Sequence, residues 1–412
     1  MASLPPPGAA PNDNQYGSAL SLRSSWRDAV REIEEQLASA KRPAGSSGDS
    51  PSSSSDHWDL AVVFSSHDHA AGWEELPGML RERLGIRQLI GCSGESIVGV
   101  RREVEDGPAL SVWTARLPRT RIEPVRLAFE QTPEGPVFTG WNDQLLESWP
   151  DDSTLLLLAD PFSFPADFLL HRLREDHPDT RVLGGMASGA SVPGENRLFA
   201  QDRAVADGAV GVLLHGRGPL RSVVSQGCRP VGVPLIVTDV ERNLVRGLGG
   251  RPALDVLHEL FQQLPTHEKQ MMQRGLHLGV VMSEYRDHFG MGDFLVRNVL
   301  GIDPETKAVA VGDFLRRGQT VQFHLRDERS ASDELRHLLH AAALEKPARA
   351  ALLFTCNGRG SRLFSENHHD ATRIADAFGD IPLAGLFAQG EIGPVGKQNF
   401  LHGFTASVAL FD

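Results

Sequence analysis

One pattern recurs three times in this chain and confines its fold more than any other feature. An apolar strand runs into a polar loop in DLAVVFSSHD (59–68), TLLLLADPFS (154–163) and ALLFTCNGRG (351–360). A helix follows each, with apolar residues at helical spacing: Trp73, Leu76, Leu80 and Leu84; Phe168, Leu169 and Leu173; Ala371, Ile374, Ala375 and Phe378. A second strand then enters a turn of small residues, in QLIGCSGESIVG (88–99), RVLGGMASGASVPGE (181–195) and PLAGLFAQGEIGPVG (382–396). An alternating strand closes each copy: ALSVWTARL, GAVGVLLHG and LHGFTASVALF. Val62 lies 29 residues before Gly91, Leu157 27 before Gly184, and Leu353 32 before Gly385. Repeated strand–helix–strand–strand units predict an α/β, mixed α+β fold: two domains of mixed β-sheets covered by helices.

The rest of the chain divides by composition. Residues 1–17 are Pro-rich with little to bury and read as a disordered tail. Trp26, Val30, Ile33 and Leu37 give residues 18–42 the stripe of an N-terminal amphipathic helix. Residues 43–57 are Ser/Gly-rich and read as a linker or surface insertion. Two repeats fall in 58–249 and the third in 250–412, with the boundary expected near Gly247–Gly250. Between repeats two and three, a helix over 252–264 precedes four short strands, HLGVVMSEY, FLVRNVLGID, AVAVGDFL and TVQFHLRD, and a helix over 330–344.

Charge narrows the partners. With 41 Lys+Arg against 53 Asp+Glu the net charge is −12, which speaks against nucleic acid and against an anionic membrane surface. No apolar run reaches the ~18–20 residues of a membrane-spanning helix, so membrane insertion is not expected. The N-terminus has no basic start or apolar segment of a secretory signal. Cys92, Cys228 and Cys356 have no CxxC spacing, which fits a reducing cytoplasm.

Three segments resemble the FIST family: GCRPVGVPLIVTDVERNLVRGLGGRPALDVL (227–257), FTCNGRGSRLF (354–364) and PLAGLFAQGEIGPVGKQNFLHGFTASVALF (382–411). The likeness is strongest at Cys356-Asn357-Gly358-Arg359-Gly360 and at Gly390-Glu391-Ile392-Gly393-Pro394. It extends more loosely over residues 58–250, a FIST N-like part, with 250–412 FIST C-like. The resemblance implies a cytoplasmic sensory protein of signal transduction that binds a small ligand such as an amino acid. In other chains such domains are fused to kinase, cyclase, chemotaxis or F-box segments. The first 57 residues here hold none of these, so the expected output is a separate signalling partner.

The candidate ligand set is Cys356, Asn357, Gly358, Arg359, Gly360, Gln389, Glu391 and Arg229. The CNGRG loop lies beyond the carboxyl end of a strand, where ligands gather in open sheets. Gly358 and Gly360 permit close backbone approach. Arg359 can clamp a carboxylate, and Glu391, set among small residues, can take an ammonium. The same two side chains would equally satisfy each other as a buried salt bridge. Alternatives stay open: an enzyme with Cys356 as nucleophile, a non-catalytic interaction scaffold, and a haem sensor using His215, His368, His369 or His402. No cofactor, metal or catalytic residue is otherwise expected. His67-Asp68-His69 is the one metal-like triplet, and a solvated loop accounts for it.

Overall fold

The apolar strands of the three repeats become the centres of three separate sheets. They are seen in a computed structural model that describes residues 14–40, 57–133, 135–216, 218, 220–285, 289–290 and 292–412. In the first sheet Trp58–Ser66 pairs in parallel with Ile86–Gly94 and antiparallel with Leu110–Arg116. Thr154–Ala159, Arg181–Met186 and Ala209–His215 repeat this arrangement in the second sheet, and Ala350–Cys356, Leu383–Ala388 and Ala406–Phe411 in the third. The inner faces meet in one core, where Leu60, Val62 and Phe64 share a cluster with Leu156, Leu158, Val212, Leu352, Phe354 and Leu386. Helices cover the outer faces: Trp26–Ala40 and Leu76–Leu84, then Ala166–Asp176, then Glu328–Glu345 and His369–Phe378.

The repeats interlock by exchanging hairpins. After its second strand, each copy sends a short hairpin to a neighbour's sheet edge. Strands Ile97–Gly99 and Arg102–Val104 of copy one extend the third sheet. Leu198–Ala200 and Arg203–Val205 of copy two extend the first. Glu391–Val395 and Gln398–His402 of copy three extend the second. The ring of donations closes, so no sheet is complete without strands from another repeat.

The spacing noted in the sequence has a steric origin. Gly91, Gly184 and Gly385 are register partners of Val63, Leu157 and Leu353 on the adjacent parallel strand. A Cβ at each would stand inside contact distance of that partner's carbonyl oxygen. Only glycine lets these two strands approach so closely.

The four strands after repeat two belong to a fourth unit. Cys228–Glu241, Thr320–Arg326, Leu276–Val281, Phe294–Asp303, Ala308–Val311 and Leu244–Leu248 pair in that order, and the last pairs again with the first. This six-stranded barrel is filled by residues such as Val237, Val245, Leu278, Val309 and Phe323, with Leu254 and Leu257 of helix Ala253–Gln263. It is inserted between Arg221–Ser225, an edge strand of the third sheet, and helix Glu328–Glu345.

The mixed α+β expectation stands, and two details change. Residues 249 and 250, where the sequence sets a boundary, join strand Leu244–Leu248 to helix Ala253–Gln263, both of which pack in the barrel. Residues 15–21, read as tail and helix, form the strand Gln15–Ser21 against Leu110–Arg116, since alternate residues there are buried. The helix itself is Trp26–Ala40. The Ser-rich stretch up to residue 56 and residues 1–13 lie outside the described residues.

Gly385→Ala is expected to destabilise the protein by at least about 3 kcal/mol, because backbone must move to admit the methyl group. Gly301→Ala, where an added Cβ meets nothing within 4 Å, is the control and should cost under about 1 kcal/mol. Urea unfolding midpoints of the two variants check this.

Candidate functional site

Strand Ala350–Cys356 delivers Cys356 and the following loop to the carboxyl end of the third sheet. Asn357 N donates to Ala388 O at 3.0 Å and Arg359 N to Cys356 O at 2.8 Å, closing a tight turn. Gly360 sits at φ +57°, and a Cβ there would lie 2.7 Å from Glu105 Oε1. Glu105 follows the hairpin donated by copy one and accepts from Ser361 N (2.9 Å) and the Ser361 hydroxyl (2.6 Å). The CNGRG loop is thus held from two sides.

Arg359 is not free to clamp a ligand. It is wholly buried, and its Nε and one terminal nitrogen donate to the two oxygens of Asp370, both at 2.8 Å. Its other terminal nitrogen approaches Phe404 O at 3.4 Å, and Phe364 lies under the guanidinium. Burial opposes its charge, but Asp370 outweighs burial and its pKa is raised. Burial would likewise raise Asp370, yet Arg359 and His369 hold it well below the usual carboxylate range. Thr355 Oγ1 and His369 Nδ1, at 2.5 and 2.8 Å, complete its shell. Sequence reading paired Arg359 with Glu391; the fold gives it Asp370, eleven residues on, at the first turn of the next helix. Arg229 is also occupied, by Glu268 at 2.7 Å and Asp327 at 3.0 Å.

Glu391 does come close to Arg359, but the two meet through backbone. Glu391 Oε2 accepts from Thr405 N at 3.0 Å, one residue beyond the carbonyl that Arg359 approaches. Its Oε1 is buried without a hydrogen-bond partner. Burial, only partly countered by that N–H, drives the carboxyl well above its ordinary value. Burial and then Glu391 push the adjacent Cys356 thiol up to about 12. That is the reverse of an activated nucleophile, which needs a lowered thiol pKa. Gln389 is exposed, its N–H bonded to Met186 O at 3.1 Å.

Between these two acids lies a feature sequence reading missed. Phe404 adopts φ +61°, a left-handed conformation that is costly for an aromatic residue. The Arg326 guanidinium stands over its ring, 4.3 Å from the centroid. Among the described residues Arg326 makes no hydrogen bond or ion pair, and its Nε is buried without a partner. The His277 ring meets Phe404 edge-on at 5.0 Å. His277 Nδ1 bonds Asn298 Oδ1 at 3.1 Å, which leaves buried Nε2 unpartnered. Asn357 Oδ1 is likewise buried and unpartnered. A Cβ on Gly358 would strike the Phe404 ring and come within 3.0 Å of an Arg326 terminal nitrogen. Unmet buried polar atoms are rare in folded proteins, and four are drawn together here where barrel meets body.

The sequence held a signal for this. In TVQFHLR, Val321, Phe323 and Leu325 fill the barrel, so Gln322, His324 and Arg326 share the opposite face. His324 is nonetheless buried, because that face turns to the body. Alternation alone assigns such a face to solvent.

The other candidates separate. His67–Gly72 is a short 3₁₀ helix rather than the end of a strand, and among the described residues no group of three His, Cys, Asp or Glu is placed to hold a metal. His215, His368 and His402 stand apart, and both His369 nitrogens are engaged, by Asp370 and by Ser332. A cavity of about 460 Å³ opens beside Asp160, Phe162 and Gly194, the place in copy two that CNGRG takes in copy three. There Asp160 already accepts from Phe162 N, Ser163 N and Asn196 Nδ2, so it presents no unmet group. We therefore take the unpartnered groups around Phe404, at the junction of barrel and body, as the candidate site.

The FIST N domain sequence model matches residues 59–251, and that of the FIST C domain residues 253–394. An uncharacterized protein from Mycobacterium tuberculosis (strain CDC 1551 / Oshkosh) is 44% identical over 354 residues, covering 85% of this chain and 91% of its own. One from Mycobacterium bovis (strain ATCC BAA-935 / AF2122/97) is 41% identical over 355 residues, covering 85% and 90%.

Arg359→Ala is expected to cost about 3–5 kcal/mol, because it strands a buried Asp370 carboxylate. Arg326→Ala should change stability by under about 1 kcal/mol, and denaturant titration of both variants separates joint from site. A second expectation concerns pH. Glu103, on the hairpin donated by copy one, accepts from Ala371 N, and burial together with Asp370 pushes it up to about 8. Its proton is held more tightly folded than unfolded. Its contribution is therefore full below the ordinary glutamate pKa and is lost as pH rises to about 8. Glu103→Gln should flatten this fall, a difference of a few kcal/mol at most, read from unfolding free energies at pH values spanning that window.

Proposed function

We propose a function from one premise: this chain belongs to the FIST family and carries both of its domains. FIST domains are small-ligand sensory domains of signal transduction. We place the ligand in the cleft between barrel and three-sheet body, around Phe404. A small carboxylate or amino-acid-like molecule fits the groups there. The observation that carries this reading is Arg326, a guanidinium with neither hydrogen bond nor ion pair among the described residues, beside a strained aromatic residue. Arginine is the side chain suited to planar carboxylates, and half-burying it over a ring with its Nε unmet costs free energy that a ligand would offset.

The protein acts without catalysis in this reading and passes its signal to a separate partner. We assign it to the cytoplasm, in keeping with its three free cysteines. No described helix is long and apolar enough to cross a membrane. The alternative of a Cys356-dependent enzyme lacks an activated thiolate. Thermal unfolding of the full chain against small carboxylates and amino acids is the test. A ligand at a hundred times its Kd adds about 2.7 kcal/mol. Arg326→Ala should remove the shift while leaving the unliganded melting point near that of the parent. A library that moves nothing would favour the interaction-scaffold alternative instead.

A further inference from the structure

This inference rests on the reading of the Phe404 cleft as a ligand site and narrows the class of molecule it takes. We propose that the cleft is built for a small hydroxycarboxylate, a monoanion without an ammonium group, and that Glu391 serves it as a neutral hydrogen-bond donor.

The permanent charges decide between anion and zwitterion. Arg359 is neutralised by Asp370 through two hydrogen bonds, and Arg229 by Glu268 and Asp327. Asp327 accepts from Ser330 as well and is committed. Cys356, Cys228, Arg359 and Glu391 act on Arg326 electrostatically, and Arg326 on His277; Glu334, which acts on Arg359 and Cys228, accepts from the Ser225 hydroxyl and Gly227 N. Cys228 is buried and Cys356 half-buried, and loss of solvation raises both thiol pKa values, so neither carries charge. Glu391 has one backbone N–H on Oε2 and the Cys356 thiol as a neighbour, while among the described residues Oε1 has no hydrogen-bond partner and no cation lies within hydrogen-bond distance. A wholly enclosed carboxylate in that position would be an uncompensated charge, so the group stands as the acid. The cleft therefore carries one uncompensated positive charge, that of Arg326. One carboxylate balances it; an added ammonium would undo the balance beside two guanidinium groups.

The unpartnered atoms give the rest of the pattern. Arg326 Nε is a donor and meets the carboxylate. Glu391 Oε1, carrying the acid proton, is a donor and needs an oxygen lone pair. His277 donates through Nδ1 to Asn298, so its Nε2 is an acceptor, and Asn357 Oδ1 is another. A hydroxyl accepts from the acid and donates its one proton to either His277 Nε2 or Asn357 Oδ1, without adding charge.

The test uses the full chain and four probes at matched ionic strength: L-lactate, glycolate, L-alanine and ethanolamine. Lactate or glycolate should raise the melting temperature, and alanine should bind at least about tenfold more weakly. Glu391→Gln keeps a neutral donor and should leave lactate affinity within about threefold. Arg326→Ala should lose at least about tenfold. Calorimetry of the parent protein in two buffers of different ionisation enthalpy supplies the proton count, whether or not Glu391→Gln folds. Hydroxycarboxylate binding should release no proton. If alanine binds as well as lactate, if Glu391→Gln abolishes binding, or if binding releases a proton, the inference falls while the cleft stands as a ligand site. If none of the four probes shifts the melting curve, the cleft reading falls too.

Discussion

The three sheets of this protein depend on a shared interior. Each turns one apolar face inward, and those faces bury one another rather than three separate cores. Hairpin exchange makes the dependence structural as well as energetic. A sheet edge left bare would expose unpaired N–H and C=O groups, and here the edge beside each second strand is filled by a hairpin from another repeat. The body must therefore assemble as one cooperative unit, although its sequence is written as repeats.

That interlocking explains why the body side of the Phe404 junction is held so firmly. Glu103 and Glu105 arrive from copy one and brace the loop and helix of copy three. Arg359 and Asp370 tie the loop to that helix inside the protein, where their mutual attraction is scarcely screened. Their partnership is what leaves Phe404 and Thr405 fixed between a guanidinium on one side and a carboxyl on the other. Arg326 faces this rigid wall from the barrel, with Phe404 strained between them.

The repeats, their helices and the close-approach glycines were legible because they follow from periodicity and sterics that act within one copy. Hairpin exchange was not, because a strand's own residues do not say which edge it will join. GEIGP reads as a turn holding a carboxylate with no local reason to be there, whereas the fold makes Glu391–Val395 a strand and buries Glu391 at its head. Arg359 misled because its partner, Asp370, sits at the start of a helix whose sequence reads as an ordinary acidic first turn. Arg326 stayed hidden for the opposite reason. It ends an alternating strand, and only the docking of the barrel against the body turns that polar face inward.

Cys228 and Arg326 are register partners where the chain enters and leaves the barrel. The insertion therefore hangs from a narrow neck of two neighbouring strands, and Arg326 lies in the neck itself. Arg297 of the barrel, which donates to Leu401 O, and His277, edge-on to Phe404, flank that neck, so a ligand gripping the guanidinium would bear on the whole joint between barrel and body.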